Sequence, residues 1–177
     1  MSVTKINADV LDLTDDFAFT GDVSGAGGGK VLQVVTDNYV SGGTGTSASS
    51  TTRVDTPLSL VITSIGLNSK FHIIANSTMT HNSSYDQGGS CHLARVIGGT
   101  TTEIPANYGC WGGDNYSYSA SPSNCILYLD SPSQAIGVAI TYKVQISNIM
   151  GSSPMYWGIS SGTRAQNQNL TIMEISA

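Results

Sequence analysis

The chain has 177 residues, a length that fits one domain plus a short extension. Only 11% of its residues are charged, the net charge is −5, and the seven Lys and Arg residues are scattered, which excludes a basic nucleic-acid-binding face. The 20 glycines and the abundance of Ser, Thr and Asn, without helix-period stripes, predict an all-β protein with many short strands.

The amino terminus lacks the apolar core of a signal peptide, and no run approaches the ~18 apolar residues that would span a bilayer. We therefore expect synthesis in the cytosol of whatever cell translates the chain, without membrane insertion. The three cysteines are an odd number, and without a secretion signal they are predicted to be free thiols. Whether any two of Cys91, Cys110 and Cys125 pair stays open.

Residues 1–29 differ from the rest of the chain. They combine a stretch containing several hydrophobic side chains with a Gly-rich break at residues 21–29. Because so short a segment cannot form a core alone, we predict an arm that docks onto a partner chain or a larger assembly. The alternative is a strand folded back on its own domain. The predicted attachment residues are Ile6, Val10, Leu11, Leu13, Phe17 and Phe19.

Residues 30–177 carry the predicted strands of a single domain, separated by turn signals such as Asp55-Thr-Pro57. A Gly98-Gly99 pair between two of them indicates a hairpin. Residues 105–124 form the longest segment predicted to be irregular. The predicted strands are 30–36, 50–54, 58–63, 70–80, 91–97, 101–104, 126–132 (with its closing turn), 140–146, 155–159 and 169–175.

Strict alternation of apolar and polar residues at 140–146 is the clearest strand pattern, and it predicts one buried and one wet face. The buried set is Ile140, Tyr142, Val144 and Ile146, and the wet set is Thr141, Lys143 and Gln145. With 126–132, this strand is predicted to form the centre of the domain. The last strand is apolar on both faces, which predicts a central position or a subunit interface.

Nine or ten short strands at this spacing predict an antiparallel β-sandwich, jelly-roll-like, at residues 30–177, preceded by the short extended arm at 1–29. A sandwich without edge protection also gains by burying a face against copies of itself.

Reactive side chains show no pattern above background for catalysis. His72, His92 and Cys91 could meet on neighbouring strands, but they lack the spacing of a metal site. Acidic residues that could pair for glycoside hydrolysis are far apart in sequence, and the one before Ser131-Pro132 is interpreted as a turn residue. These candidates are Asp114, Asp130 and Glu174. We expect no enzymatic activity, no catalytic residue, no metal site and no cofactor.

Aromatic residues among Gly, Ser and Asn distinguish the segment 105–124. Tyr and Trp supply rigid contact area, the small polar residues supply adaptable hydrogen bonds, and sugar-binding surfaces use the same mixture. The alternative is that these aromatic residues cover the end of the domain's own core. The residues predicted to bind a receptor are Tyr108, Trp111, Asp114, Asn115, Tyr116 and Tyr118.

A set of strand signatures runs through the chain, at 29–35, 54–63, 129–132, 141–145 and 170–175, and residues 11–21 have the look of a linker ahead of them. Together they resemble a domain common in virion proteins of tailed bacteriophages, especially marine and cyanobacterial ones, that is often described as tail-fibre-like. The resemblance covers about residues 11–177 and includes no catalytic motif.

This resemblance implies a β-sandwich that assembles, usually as a trimer, on the virion surface, where it binds a host surface molecule or decorates the particle. Only 29 residues precede the sandwich, in place of the large shaft of long fibres, so a short fibre, a tip or a capsid-attached decoration protein is implied. The expected partners are copies of itself, capsid or tail proteins bound through the arm, and a host surface glycan. A dedicated receptor-binding module and a polysaccharide depolymerase are the alternatives.

Overall fold

The computed structural model describes residues 30–41, 46–81, 88–111, 123–150, 154–158 and 166–177. For residues 105–111 and a few residues at strand ends it describes the backbone alone. All regular structure in the described ranges is β-strand, which confirms the predicted all-β class. In those ranges there is no helix long and apolar enough to cross a membrane.

In the described part of the chain, ten strands form two antiparallel sheets that face each other. One sheet has six strands in the order β1-β10-β4-β9-β2, with β7 also paired to β4, and the other has the order β3-β8-β5-β6. The strands are β1 (Val31–Ser41), β2 (Ser47–Ala48), β3 (Val54–Thr63), β4 (Lys70–His81), β5 (Gly88–Ile97), β6 (Thr100–Trp111), β7 (Ser123–Asp130), β8 (Ala139–Met150), β9 (Met155–Trp157) and β10 (Gln166–Ile175).

The long strands pair like the two arms of one hairpin folded at the Gly98-Gly99 turn. The pairs are β5 with β6, β4 with β7, β3 with β8 and β1 with β10, and successive pairs lie alternately in the two sheets. The hairpin is thus wound around the core as in a jelly roll, which confirms the predicted sandwich. Both turn glycines have positive φ, +55° and +81°, as a two-residue hairpin turn requires.

Of the two strands predicted to form the centre of the domain, 140–146 is central in its sheet, but 126–132 is not. β7 pairs with β4 in the six-stranded sheet, and β8 lies between β3 and β5 in the other sheet. The reason is the winding of the hairpin, which places consecutive strands of each arm in opposite sheets. β8 and β7 therefore lie in opposite sheets. The last strand, β10, lies between β1 and β4, so its predicted central position is confirmed.

The alternation predicted for β8 is confirmed on its buried face, where Ile140, Tyr142, Val144 and Ile146 are buried. On the opposite face Gln145 departs from the prediction, because it is buried and not wet. Its amide donates to Asp55 Oδ1 on the neighbouring strand at 2.7 Å, next to the Lys143–Asp55 ion pair at 2.8 Å. These contacts with β3 take Gln145 out of solvent.

Two segments predicted as turn or loop are strand. Asp55-Thr-Pro57 lies inside β3 as an irregularity, where the Thr56 hydroxyl donates to Val144 O at 2.8 Å and accepts from Leu58 N at 3.2 Å. Residues 105–111 continue β6, and the register shift opposite His92 and Leu93 falls at Pro105, which has no N–H for the ladder. The short strand predicted at 50–54 is not found there. The structure has the short strand β2 at Ser47–Ala48 instead, and β3 begins at Val54.

The core lies between the inner faces of the two sheets. The rings of Phe71 (β4) and Tyr142 (β8) meet across it with centroids 6.2 Å apart. Near the other end of β4, the buried Trp157 indole donates to Ser77 Oγ at 2.7 Å. The largest fully buried side chains are Trp157, Tyr142, Phe71, Leu58, Ile62, Ile73, Met79, Leu93, Ile126, Ile140, Ile146 and Met155.

A polar tie also joins the two sheets. The Tyr142 hydroxyl donates to Asp130 Oδ2 at 2.7 Å, and Arg95 Nη1 (β5) lies 2.6 Å and 2.7 Å from the two oxygens of the same carboxylate. Asp130 is therefore a buried cross-sheet acceptor, which corrects its interpretation as a turn residue. Burial, the hydrogen bond to Asp130 and its charge raise the pKa of Tyr142 far above the ordinary value, so the hydroxyl keeps its proton.

The sandwich has two distinct ends. One end, which we call the proximal end, is formed by Lys30, the loops 64–69 and 131–138, the turn at 98–99 and residues 176–177. The distal end is the opposite one, where the strands stop at Ser41, His81, Trp111, Met150 and the first residues of β5, β7 and β10. Since the ladders are antiparallel, every connection between long strands belongs to one end or the other.

Replacing Tyr142 with Phe removes the hydroxyl donor and leaves the buried Asp130 carboxylate with Arg95. We expect the free energy of unfolding to fall by about 1–2 kcal/mol, because a buried acceptor loses a hydrogen bond. Urea denaturation followed by circular dichroism measures it. Tyr39→Phe is the matched control, since that partly exposed ring packs on Trp157 at 5.0 Å and should change stability by less than about 0.5 kcal/mol. Equal stability of the two variants would contradict a role for the tie.

Candidate functional surfaces

Two loops at the proximal end are tied to each other by backbone hydrogen bonds. Ser64 N donates to Val138 O at 2.9 Å, and Gly137 N donates back to Ser64 O at 2.7 Å. Farther along, Asn68 N donates to Gln134 O at 2.9 Å. The loops 64–69 and 131–138 therefore hold one another in a fixed arrangement although neither is a strand.

The side chain of Glu174, near the end of β10, anchors the first of these loops. It is fully buried, and its carboxylate accepts hydrogen bonds from Ile65 N at 3.0 Å, Gly66 N at 2.9 Å and the Ser64 hydroxyl at 3.1 Å. The amide of Gln33 on β1 donates to the second carboxylate oxygen. Charge-assisted bonds of this kind are about twice as strong as neutral ones, so one carboxylate fixes both the loop and the β1–β10 edge.

Glycine is required at position 66 by the close approach of this loop. A Cβ there would lie 2.3 Å from Ser69 Oγ and 2.7 Å from Leu32 Cδ1, and it would also reach Glu174 Oε1 at 3.5 Å. Only a residue without a side chain lets the backbone N–H come down onto the carboxylate.

Burial of Glu174 favours its neutral form, but the hydrogen bonds from Gln33 and from the backbone of Gly66 and Ile65 outweigh burial and hold its pKa below the ordinary value. The carboxylate is therefore ionised at neutral pH and acts only as an acceptor. On the outer face of the four-stranded sheet, hydrogen bonds from Lys143 and Gln145 also lower the pKa of Asp55.

The tied proximal loops present aliphatic side chains to solvent. Ile65 is 52% exposed, and Leu67 and Ile136 are each 63% exposed. Their backbones are fixed by the hydrogen bonds described above, so this apolar surface is preformed. We call Ile65, Leu67 and Ile136 the proximal apolar tip. An ordered apolar surface of this kind suits contact with another protein.

Of the six predicted receptor-binding residues, the structure describes two, and both lie at the distal end. The backbones of Tyr108 and Trp111 belong to β6 and pair with Cys91 and Gly88. The other four, Asp114, Asn115, Tyr116 and Tyr118, lie outside the described residues, in the connection from β6 to β7. No side-chain position is described for any of the six, so their binding role stays a prediction.

The six predicted attachment residues, Ile6, Val10, Leu11, Leu13, Phe17 and Phe19, also lie outside the described residues. What the structure does give is the point where their segment joins the domain. Ser176 N donates to Lys30 O at 2.9 Å, which places the junction beside the carboxyl-terminal end of β10 at the proximal end.

The predicted alternative of a site formed by His72, His92 and Cys91 is wrong, because β4 and β5 lie in different sheets. His92 Nε2 instead lies 2.8 Å from Ser147 Oγ, and both side chains are buried. A serine beside a histidine can act as a nucleophile, but a substrate must reach it, and both of these side chains are buried. Within the described ranges no group of three or more His, Cys, Asp or Glu could hold a metal ion.

Two of the three acidic candidates for hydrolysis are engaged in hydrogen bonds within the fold. Asp130 is bound by Arg95 and Tyr142, and Glu174 by Gln33 and the loop 64–69. Asp114 lies outside the described residues. The sequence did hold a signal for Glu174, which alternates in phase with the buried Leu170 and Ile172 and is therefore a carboxylate on a core face.

Comparison with known proteins identifies no family, because no family model and no curated protein matches the chain. Among solved structures, the chain is similar to a structure of infectious bursal disease virus, Gx strain, with 8% identity, a TM-score of 0.42, and coverage of 82% of this chain and 31% of that one. It is also similar to a chain of the T13 particle of that virus, with 11% identity, a TM-score of 0.42, and coverage of 82% and 40%.

The chain spans less than half the length of either of these viral chains. A TM-score of 0.42 describes a loose likeness in the course of the strands, and it assigns no function.

Replacing Glu174 with Gln puts an amide NH2 among groups that already donate. We expect a loss of about 2–3 kcal/mol in the free energy of unfolding at pH 7, because several charge-assisted hydrogen bonds are lost. The folded pKa lies below the unfolded value of ~4.3, so Glu174 stabilises the fold fully above that value and this contribution is lost as the pH falls through the folded pKa. The difference between wild type and variant should therefore shrink below about pH 4.

Urea denaturation at a series of pH values measures both effects. Glu103→Gln is the control, because Glu103 is partly exposed and pairs with Arg53 at the surface, where ion pairs contribute about 0–1 kcal/mol. The Asp55 contribution is present in all three proteins and cancels in the comparison. A pH-independent difference between wild type and Glu174→Gln would contradict an ionised, hydrogen-bonded Glu174.

Proposed function

We propose that this protein is a structural component of a bacteriophage virion, a short tail-fibre-like or decoration protein on the particle surface. Residues 1–29 anchor it to another virion protein of the capsid or tail, it assembles as a trimer, and the opposite end of the sandwich contacts the host surface. The resemblance of its strand signatures to tail-fibre-like domains supports this proposal, and so does the separation of its two ends.

The observation that carries the proposal is that the arm and the predicted recognition segment join the sandwich at opposite ends. The arm joins at Lys30, which is hydrogen-bonded to Ser176 at the proximal end. The segment with most of the predicted receptor-binding residues continues from Trp111, whose backbone pairs with Gly88 at the distal end. A domain held at one end and presenting its recognition segment at the other suits a protein that projects from a particle.

The proximal apolar tip supports attachment at that end. Its three side chains are exposed, and the loops that carry them are held by hydrogen bonds to each other and to Glu174. A partner that covers them gains apolar burial at about 25 cal/mol per Å² without first having to order the loops. The arm and the tip would then form one continuous attachment surface.

A dedicated glycan- or receptor-binding module is the second candidate function. The observation that favours it is the length of β6, whose backbone ladder with β5 extends to Trp111. Residues 108 and 111 are thereby fixed in a strand and not in a loop, and rigid aromatic anchors lose less conformational entropy on binding.

We propose no enzymatic activity. Asp130 and Glu174 are committed to buried hydrogen bonds, and the His92–Ser147 pair is buried. A depolymerase that cleaves host polysaccharide is the less favoured alternative. Incubation of the protein with host surface polysaccharide and measurement of new reducing ends tests it, and their appearance would overturn the non-enzymatic proposal.

Deleting residues 1–25 should abolish incorporation into particles while leaving a folded domain. The described core lies entirely within residues 30–177, so the truncated protein should keep its circular dichroism spectrum. Incorporation is measured by supplying the truncated protein during assembly and probing purified particles with an antibody. Normal incorporation of the truncated protein would contradict the anchoring role of the arm.

The double variant Trp111→Ala with Tyr116→Ala should lower adsorption of particles to host cells by at least tenfold, because rigid aromatic contacts dominate recognition surfaces. The melting temperature of the double variant shows whether lower adsorption comes from the missing aromatic contacts or from unfolding of the domain. Val61→Ala is the control, since Val61 is exposed on the outer face of the four-stranded sheet, away from the distal end. Unchanged adsorption by a stable double variant would count against host contact through this segment.

A further inference from the structure

The outer face of the six-stranded sheet carries most of the exposed aliphatic side chains of the described strands. Val34 is 53% exposed, Leu127 54% and Leu129 51%, on the two outermost long strands of that sheet. Between them, β10 and β4 contribute half-buried apolar side chains to the same face. We call this surface the outer apolar face, and its main residues are Val31, Val34, Ile74, Leu127, Leu129 and Met173.

The strand register makes this face continuous. Val34 on β1 lies opposite Met173 on β10, and Met173 lies opposite His72 on β4. His72 in turn lies opposite Leu129 on β7. Cross-strand neighbours in a sheet are about 5 Å apart, so these residues form one row across four strands.

Charge is nearly absent from the outer apolar face, which distinguishes it from the outer face of the other sheet. Among the described outward residues of β1, β10, β4 and β7, only Lys70 has a permanent charge, and it lies at the proximal margin. On the four-stranded sheet the outward residues include the ion pair of Lys143 and Asp55, which lie 2.8 Å apart. The two sides of the sandwich therefore differ in charge. The outer face of the six-stranded sheet is apolar mainly in its proximal half, because Thr36, Thr171 and Asn169 lie on the same face toward the distal end.

We infer that copies of this chain pack against one another through the outer apolar face. This inference rests on the proposed trimer and names the surface that would form it. A charge-poor apolar surface offers little for a partner selected by charge, but it is complementary to another surface of the same kind. The chain supplies that second surface itself whenever two copies meet.

The layout of the face suits closure around a threefold axis. One half, on β1 and β10, carries Val31, Val34 and Met173, and the other half, on β4 and β7, carries Ile74 and Leu129. In a closed ring of three, the first half of each copy meets the second half of the next. Four strands and about eight residues span roughly 19 by 26 Å, on the order of 500 Å² in projection. In a ring of three, each of the two contacts of a copy uses about half of this face, which is small beside the ~800 Å² per partner of stable interfaces, so association depends on closure of the whole ring.

The test is the molar mass of the full-length protein in solution, measured by light scattering after size exclusion at several concentrations. Wild type is expected to have the mass of three copies. Val34→Glu with Leu129→Glu buries charge in the interface and should give the mass of one copy at the same concentration, with at least a hundredfold weaker association. Val61→Glu is the matched control, because Val61 is equally exposed, at 55%, but lies on the outer face of the four-stranded sheet. It should leave the mass unchanged.

A monomeric wild type would overturn the inference, and so would an assembly that survives the paired Glu substitutions or one that Val61→Glu disrupts equally. If the Glu variant fails to fold by circular dichroism, Val34→Thr with Leu129→Thr replaces it. This pair adds no charge, keeps strand-favouring residues and should still weaken association at least tenfold. Incorporation into particles is a separate measurement, so loss of the interface and loss of the anchoring role are distinguishable.

Discussion

The strands on either side of the Gly98-Gly99 turn pair with each other along their whole course, from β5 with β6 at the turn to β1 with β10 at the chain ends. This pairing is the constraint on which the rest of the structure depends, because it decides that consecutive long strands on each side of the turn alternate between the two sheets. Two sheets wound in this way must bury their inner faces against each other. The Phe71–Tyr142 ring contact and the Asp130 hydrogen bonds then fix the position of the two sheets relative to each other.

The same winding creates two ends of different character. At the proximal end a single buried carboxylate, Glu174, holds the loop 64–69, and backbone hydrogen bonds tie that loop to 131–138. Apolar side chains on these loops are therefore exposed in a fixed arrangement, beside the point where residues 1–29 join. The distal end receives the long connection from β6 to β7. The function that we propose depends on this separation between a surface that attaches and a segment that makes contact outward.

The two sides of the sandwich differ as well. An ion pair lies on the outer face of the four-stranded sheet, whereas the outer face of the six-stranded sheet carries exposed aliphatic side chains and only one permanent charge among its described outward residues. Antiparallel sheets often keep one face in water, and that face is then polar. Exposed aliphatic side chains on the outer face of one sheet are surplus to the core of a single copy, and the assembly that we infer would give them a physical reason.

The sequence by itself determined which residues of a strand face the core, because alternation with a period of two is local and survives whatever the strand pairs with. It therefore predicted the buried face of β8, the Gly98-Gly99 turn and the sandwich class. Partners are set by contacts between distant parts of the chain, so only the tertiary structure placed β7 and β8 in opposite sheets, extended β6 to Trp111 and buried Gln145 against Asp55. The same is true of Asp130, whose role depends on Arg95 and Tyr142 arriving from the facing sheet.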